Sequence, residues 1–173
     1  MPNINSAFDC RKVDFITFRE ALGEAAILAT SQAGSEVIAM MNTVSTARSN
    51  DTPAEQAKVA YFVAYQSDDD DAVGLMVMFK EGSTWKIEDV FAGVSGSGLG
   101  STLASFGMDY AIRDYGNTPN CEIRLTSLDE ASCAFWKKMG FVMLPGVQSG
   151  HGGMVYRVSN SRPTTPLGSV EGR

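Results

Sequence analysis

The stretch IEDVFAGVSGSGLGSTL, residues 87–103, decides how the middle of this 173-residue chain folds. Its first part, Ile87 to Ala92, reads as an apolar strand, and the glycine-dense part that follows reads as a turn. From Leu99 onward the apolar residues recur at helical spacing. The stretch therefore predicts a strand that runs through a glycine turn directly into a helix.

The glycine turn has two readings. Gly96, Gly98 and Gly100 allow left-handed backbone dihedrals and a close approach of the backbone to a ligand. A helix N-terminus leaves N–H groups without partners and carries roughly half a positive charge, so it attracts an anion such as phosphate. The alternative is a flexible loop that merely starts a helix. The neighbouring segments must decide between these two readings.

Composition and charge narrow the class of protein. The 44% of hydrophobic residues suffices for the core of a single domain, predicted over residues 1–158. Residues 159–173, rich in proline, threonine, serine and glycine, are expected to form a disordered tail. The net charge of −6 argues against a sequence-independent hold on nucleic acid and favours a cationic small molecule or a basic protein surface.

Cysteine usage and apolar runs indicate the compartment. The odd number of cysteines, without C-x-x-C spacing, suggests neither a disulfide framework nor a zinc site. The N-terminus lacks the basic and apolar blocks of a signal peptide, and no apolar run approaches the ~20 residues needed to cross a bilayer. We expect a soluble cytoplasmic protein with no membrane partner.

Hydrophobic periodicity along the chain predicts an α/β or α+β sandwich with a mixed sheet. Helices are predicted over 14–30, 35–48, 99–116 and 128–139. Strands are predicted over 58–66, 72–80, 84–92, 121–126, 141–144 and 154–158. The acidic turn 67–71 and the turn 81–83 separate the first three predicted strands, which can therefore pair as an antiparallel meander.

A second segment, DEASCAFWKKMGF at Asp129–Phe141, joins the glycine turn in a recognisable order. With the strand between them, the two motifs resemble the GNAT superfamily of N-acetyltransferases. The first motif of the family is an Arg/Gln-x-x-Gly-x-Gly/Ala turn that follows a strand and starts a helix. The second motif, later in the chain, is an Asn-containing helix entry that ends in an aromatic residue and Gly-Phe. The resemblance covers about Lys58 to Val158. It implies a mixed, mostly antiparallel sheet flanked by helices on both faces, and acetyl transfer from acetyl-coenzyme A to an amine of a small molecule or a protein.

The resemblance also implies a cofactor site. The turn would meet the pyrophosphate of coenzyme A, and the strand before it would splay from the next parallel strand to receive the pantetheine arm. The alignment of that strand is ambiguous by two residues, so the face it turns to the cofactor stays open. The cofactor-binding residues implied are Val90, Phe91, Ala92, Ser95, Gly96, Ser97, Gly98, Leu99, Gly100, Ser101, Asp129, Ser132 and Trp136.

Three positions depart from the family pattern. Ser95 stands where Arg or Gln is usual, Asp129 where Asn is usual, and Trp136 where a Tyr often protonates the departing thiolate. An indole cannot serve as that acid, so we read Trp136 as a packing residue or a lid over the cofactor. No Lys or Arg occurs from Ile87 through Ile112, which predicts a modest affinity for acetyl-coenzyme A.

Acetyl transfer requires a neutral amine, and a base near the acceptor supplies it. Glu88 is the first candidate for this base and Asp89 the second, and strand alternation predicts that only one of them faces the acceptor. The single histidine, His151, has a suitable pKa and lies in the loop before the last strand. The acidic run 68–71 reads as a solvated turn, so no metal site is assigned.

Other functions stay open beside the enzyme. The three departures also fit a GNAT-like domain that has lost transfer and acts as a binding or inhibitory module. The fold could also serve as a structural scaffold. The acceptor cannot be identified from the residues, although its pocket should draw on the N-terminal helices and the loop 146–153. A homodimer is an open possibility for the assembly.

Overall fold

A computed structural model describes residues 7–68, 70–94, 96–147 and 152–159. Across these residues one sheet is flanked by helices on both faces. Its elements are β1 (Phe8–Val13), α1 (Phe15–Ala26), α2 (Gln32–Ala47), α3 (Pro53–Gln56), β2 (Val59–Gln66), β3 (Ala72–Glu81), β4 (Thr84–Ala92), α4 (Leu99–Tyr115), β5 (Glu122–Ser127), α5 (Glu130–Lys138), β6 (Val142–Met143) and β7 (Gly152–Arg157).

The strands lie in the order β1-β2-β3-β4-β5-β7-β6. All neighbours pair antiparallel except β4 and β5, which run parallel and are joined through α4. A parallel pair requires such a crossover, whereas the other strands can be joined by shorter connections. The mixed, mostly antiparallel sheet and the meander of β2, β3 and β4 are thereby confirmed.

Each face of the sheet carries its own hydrophobic core. On one face, Met76 and Leu103 belong to the core beneath α4. Helix α4 approaches β3 closely at Gly107, where an added Cβ would lie 2.6 Å from the Met76 Cε atom. On the other face, Phe18 and Leu75 belong to the core beneath α1 and α2. The central strands are therefore held from both sides, which fixes the position of their ends.

The first strand is the main element that the sequence analysis missed. Strand β1 has the sequence FDCRKV and pairs with β2 at the edge of the sheet. Its charged side chains hide the alternation of a half-buried strand, and Arg11 forms an ion pair of 2.6 Å with Asp9. Charged side chains protect an exposed edge from pairing with other chains. The predicted helix break before β2 contains one helical turn, α3, which Thr52 caps.

Several sequence expectations fall outside the described residues. These are Ser95, His151 and the tail beyond Ser159. Among the described residues, no group of three or more His, Cys, Asp or Glu side chains could hold a metal ion. Within the same part of the chain, every helix is too short or too polar to span a membrane.

Candidate functional site

The parallel strands β4 and β5 are joined at one end only. They pair at Trp85 with Ile123 and at Lys86 with Arg124, and no further pairing follows along the two strands. Backbone groups of β4 that face β5 beyond Lys86 therefore lack a strand partner. The predicted splay of β4 from β5 is confirmed, and it begins directly after Lys86.

The joined end is closed by a tyrosine hydroxyl. The Tyr115 hydroxyl accepts a hydrogen bond of 2.7 Å from the Trp85 N–H of β4 and donates one to the Glu122 carbonyl of β5. The Tyr115 side chain is buried. One phenol from the end of α4 thus connects the two strands where their short pairing begins.

A β-bulge lies at the open end of β4. In the pairing with β3, Asp89 stands opposite Val77 and Ile87 opposite Met78, so Glu88 is an extra residue without a partner. A bulge interrupts the strict alternation of side chains along a strand. Ile87 belongs to the core on the α4 face, whereas Asp89 shares a register position with Val77 of the core beneath α1 and α2.

The bulge removes the premise of one expectation. Strand alternation predicted that only one of Glu88 and Asp89 would face the acceptor, but the alternation is broken at Glu88 and both residues line the same cavity. This cavity of about 430 Å³ lies where β4 and β5 separate, under α2 and α5. Its lining residues are Ala33, Val37, Ile87, Glu88, Asp89, Val90, Ala92, Gly100, Leu125, Thr126, Leu128, Asp129, Ser132, Phe135 and Trp136.

The two carboxylates differ in their surroundings. Asp89 is partly buried, and this burial, together with the charge of Glu88, raises its pKa to about 6. Glu88 is exposed, and its Oε2 lies 3.9 Å from the Lys86 Nζ atom. Desolvation disfavours the charged form of a carboxyl group and makes it a stronger base. Asp89, the second candidate from the sequence, is thus the carboxylate whose proton affinity burial raises, while Glu88, the first candidate, is exposed.

The glycine turn presents free backbone amides. Gly96 and Gly98 have φ values of 70° and 78°, in the left-handed region that glycine tolerates. Gly98 is the N-cap of α4 and makes no side-chain capping bond. The N–H groups of Gly100 and Ser101 find no acceptor among the described residues. An added Cβ at Gly96 or Gly98 would meet no heavy atom within 4 Å, so the turn is open toward a ligand.

The start of α5 forms the opposite wall of the cavity. Asp129 is the N-cap, and its Oδ1 accepts a hydrogen bond of 2.7 Å from the Ser132 N–H. Aspartate caps a helix as well as asparagine does, so this departure from the family pattern keeps the helix start intact. Trp136 is buried and contacts the rings of Phe135 and Phe141 at centroid distances of 4.8 and 5.3 Å. Trp136 therefore has the contacts of a packing residue at the cavity wall.

The structure brings some of the predicted residues together around the cavity. These are Glu88, Asp89, Val90, Ala92, Gly100, Asp129, Ser132 and Trp136. The other described ones lie beside it, with the Phe91 and Leu99 side chains buried in the two cores and Gly96, Ser97, Gly98 and Ser101 exposed in the turn and first helical turn. The residue types alone gave no signal for Ala33 and Val37 of α2, which complete the wall.

Comparison with known proteins identifies the fold. No protein-family model and no curated protein matches this sequence. Among solved structures, a probable acetyltransferase from Staphylococcus epidermidis matches with a TM-score of 0.63 and 14% identity, over 88% of this chain and 99% of that one. The PaiA N-acetyltransferase from Thermoplasma acidophilum, solved in complex with coenzyme A, matches with a TM-score of 0.62 and 12% identity, over 88% and 100%.

A third similar structure carries the name of the family. It is a proposed acetyltransferase of the GNAT family from Desulfovibrio desulfuricans, with a TM-score of 0.58 and 14% identity over 88% of this chain and 98% of that one. Identities this low support a shared fold, not a shared activity. The described part of this chain has the layers, strand order and splayed parallel pair set out above. We conclude that the chain has the fold of the GNAT acetyltransferases.

Proposed function

We propose that the chain transfers an acetyl group from acetyl-coenzyme A to an amine. The observation that carries this proposal is the cavity between the splayed strands, which joins unpaired backbone groups to a carboxylate of raised pKa. One structural neighbour, the PaiA N-acetyltransferase, is described in complex with coenzyme A. A pocket with a few convergent polar groups and a perturbed pKa is the expected form of such a site.

Coenzyme A fits the residues at the start of α4. The free N–H groups of Gly100 and Ser101 and the helix dipole would bind its pyrophosphate. The unpaired edge of β4 beyond Lys86 would hydrogen-bond the pantetheine amides, as a neighbouring strand would. No Lys or Arg lies between Ile87 and Ile112, so these contacts lack charge assistance. We expect micromolar rather than nanomolar affinity.

In the proposed reaction the cofactor supplies an acetyl group activated as a thioester. An amine is mostly protonated at neutral pH, and only its neutral form can attack the acetyl carbon. Once the nitrogen has bonded to carbon, it is positively charged and strongly acidic. Asp89, with a pKa of about 6, is ionised at neutral pH and can accept that proton directly or through one water. N–H groups on the unpaired edge of β4 can donate to the carbonyl oxygen as it gains negative charge.

Trp136 has no part in proton transfer, because an indole N–H is not a usable acid. The departing thiolate can leave unassisted, since a thiol with a pKa near 8.5 is a fair leaving group at neutral pH. The site therefore has a base and an oxyanion environment, with no side chain assigned as the acid.

Thermal unfolding with acetyl-coenzyme A, followed by a thiol-release assay with an amine panel, tests the proposal. A ligand that binds only the folded state raises the apparent melting temperature. We expect a rise with acetyl-coenzyme A and amine-dependent release of free thiol. No rise at millimolar cofactor would contradict the proposal. A rise without thiol release for any amine would instead favour the binding-module alternative.

A further inference from the structure

A second, charged cavity adjoins the proposed reaction site. It has a volume of about 360 Å³ and lies where α2 ends above the β3–β4 hairpin. Glu88 lines both this cavity and the one at the splay, so the two are neighbours along β4. Its wall includes three cations, Arg48, Lys58 and Lys86. The proposed acetyl transfer gives this cavity no role.

Some of its charges are already committed to the fold. The Arg48 guanidinium stacks 3.8 Å from the centre of the Phe79 ring, and its Nη1 lies 3.2 Å from the Asp51 Oδ2. The Glu55 carboxylate accepts hydrogen bonds of 2.7 and 2.8 Å from the backbone N–H and hydroxyl of Thr52. These groups shape the cavity without needing a ligand.

Other charges of both signs remain available. The Lys58 and Glu81 side chains are exposed, and neither forms a hydrogen bond or an ion pair with any described residue. The Lys86 Nζ and Glu88 Oε2 atoms lie 3.9 Å apart, at the outer limit of an ion pair, with side-chain exposures of 39% and 36%. Such loose surface pairs contribute little to stability, so a ligand can replace them at low cost. Cations and carboxylates in one cavity complement a zwitterion.

We propose that the amine acceptor is a free basic amino acid, whose side-chain amine meets Asp89 while its α-ammonium and carboxylate groups occupy the charged cavity. This inference rests on the proposed function. A strand rises about 3.3 Å per residue, so Lys86 lies roughly 7 Å along β4 from Glu88. We call the α-ammonium and carboxylate groups of the amino acid its head group. The four-carbon stem of lysine has the length to join an amine at the bulge to a head group at Lys86.

The proposed step is balanced at this site. The side-chain ammonium first releases one proton to solvent; a C–N bond then forms between the neutral nitrogen and the acetyl carbon, and the C–S bond of the thioester breaks. The sulfur leaves as the thiolate of coenzyme A, and the Asp89 carboxylate takes the proton lost by nitrogen. The α-ammonium group stays charged through its contact with carboxylates, so it does not compete as a nucleophile.

Thiol release from acetyl-coenzyme A with lysine and its truncated analogues tests the inference. Cadaverine lacks the carboxylate, ε-aminocaproate lacks the α-amine, and n-pentylamine lacks both. We expect kcat/KM to fall about tenfold for each single deletion and about a hundredfold for the double deletion, since one charge-assisted contact is worth about a factor of ten. Equal kcat/KM for lysine and n-pentylamine would overturn the inference. Equal kcat/KM for lysine and Nα-acetyl-lysine amide would also overturn it, in favour of a protein-bound lysine.

Two variants locate the head group. Lys86→Gln should remove the preference for lysine over cadaverine and lower kcat/KM for n-pentylamine far less than kcat/KM for lysine. Glu81→Gln should do the same for lysine over ε-aminocaproate. The matched control is Lys12→Gln on β1, which lies at the far edge of the sheet and should alter neither preference. Preferences that survive both cavity variants would refute the assignment.

The outcomes separate the inference from the proposed function. If thiol release is equally fast with and without the α-ammonium and carboxylate groups of the acceptor, the inference is wrong and the proposed function stands. A melting-temperature rise with acetyl-coenzyme A, but no release with lysine, also defeats the inference alone when another amine is acetylated. If acetyl-coenzyme A causes no rise in melting temperature and no amine causes thiol release, the proposed function is wrong, and the inference that rests on it is wrong too.

Discussion

Replacing Asp89 by Asn should stabilise the fold while it disables the proposed reaction. The carboxyl group ordinarily titrates at 3.8, and burial followed by the charge of Glu88 raises its folded-state pKa to about 6. Between these pH values the folded chain holds a proton that the unfolded chain has released. The folded state therefore loses stability as the pH rises through this interval, and the loss is complete above about pH 6.

The size of this loss follows from the same interval. Each pH unit corresponds to about 1.36 kcal/mol, so a rise from 3.8 to about 6 amounts to roughly 3 kcal/mol. Asp89 keeps partial contact with solvent, which reduces the figure to the order of 1–2 kcal/mol. An asparagine cannot ionise and avoids the cost. At pH 8 the melting temperature of Asp89→Asn should exceed that of the wild type by roughly 2–8 °C.

The rate should change in the opposite direction. Removing a general base commonly costs about 100-fold or more, so kcat/KM for the amine should fall by at least that factor. The wild-type pH–rate profile should show an inflection near pH 6 that is absent in the variant. Both measurements use the same protein, since thermal unfolding without ligand reports stability and thiol release reports transfer.

Glu88→Gln is the matched control, because Glu88 is exposed and lines the same cavity. Its stability should stay within about 0.5 kcal/mol of the wild type, as expected for a surface substitution. Its acetylation rate should fall less than that of Asp89→Asn. Asp89 would not be the base if Asp89→Asn kept the wild-type rate and its inflection. Its burial would not destabilise the fold if the two variants were equally stable at pH 8.

Three further substitutions test the walls of the opening. Tyr115→Phe leaves the Trp85 N–H and the Glu122 carbonyl without their hydrogen-bond partner, so the free energy of unfolding in urea should fall by about 2–4 kcal/mol. A change below about 0.5 kcal/mol would show that the Tyr115 hydroxyl does not hold the two strands together. Gly100→Ala places its methyl group 3.7 Å from the nearest protein atoms outside the local backbone, so the fold should tolerate it. The methyl group would narrow the cavity in which the cofactor is proposed to bind, so the calorimetric Kd for acetyl-coenzyme A should rise about tenfold or more. Trp136→Phe should lower stability by about 1–3 kcal/mol and keep most of the transfer rate, and a large rate loss in the folded variant would assign the indole to the reaction.

Local patterns predicted the parts of the site that depend on neighbouring residues. A glycine turn is set by a few adjacent positions, so the left-handed backbone at Gly96 and Gly98 could be expected from the chain alone. Asp129 entered through the family motif, and its role as a helix N-cap came from the structure. The splay also followed, once the two motifs indicated the family. These features need no knowledge of which residues meet across the sheet.

Features that depend on pairing between strands could not be predicted. The bulge at Glu88 exists because β4 has one residue more than the facing part of β3, and no property of Glu88 announces it. The expectation that only one of Glu88 and Asp89 faces the acceptor assumed unbroken alternation, and the partial burial of Asp89 could not be foreseen for the same reason. Strand β1 was missed because an edge strand can carry charges where a central strand cannot. The α2 residues at the cavity required the packing of that helix on β4.

The opening between β4 and β5 exists before any ligand binds, because each wall is anchored on its far side. Strand β4 pairs with β3 from Thr84 to Ala92, interrupted by the bulge at Glu88, and β5 pairs with β7 from Glu122 to Ser127. Within the described part of the chain, two residue pairs and the Tyr115 hydroxyl join the two walls by hydrogen bonds. A site held open in this way costs little reorganisation on binding. In the proposed function, this rigidity lets backbone amides and a helix dipole bind an anion in a segment without a single cationic side chain.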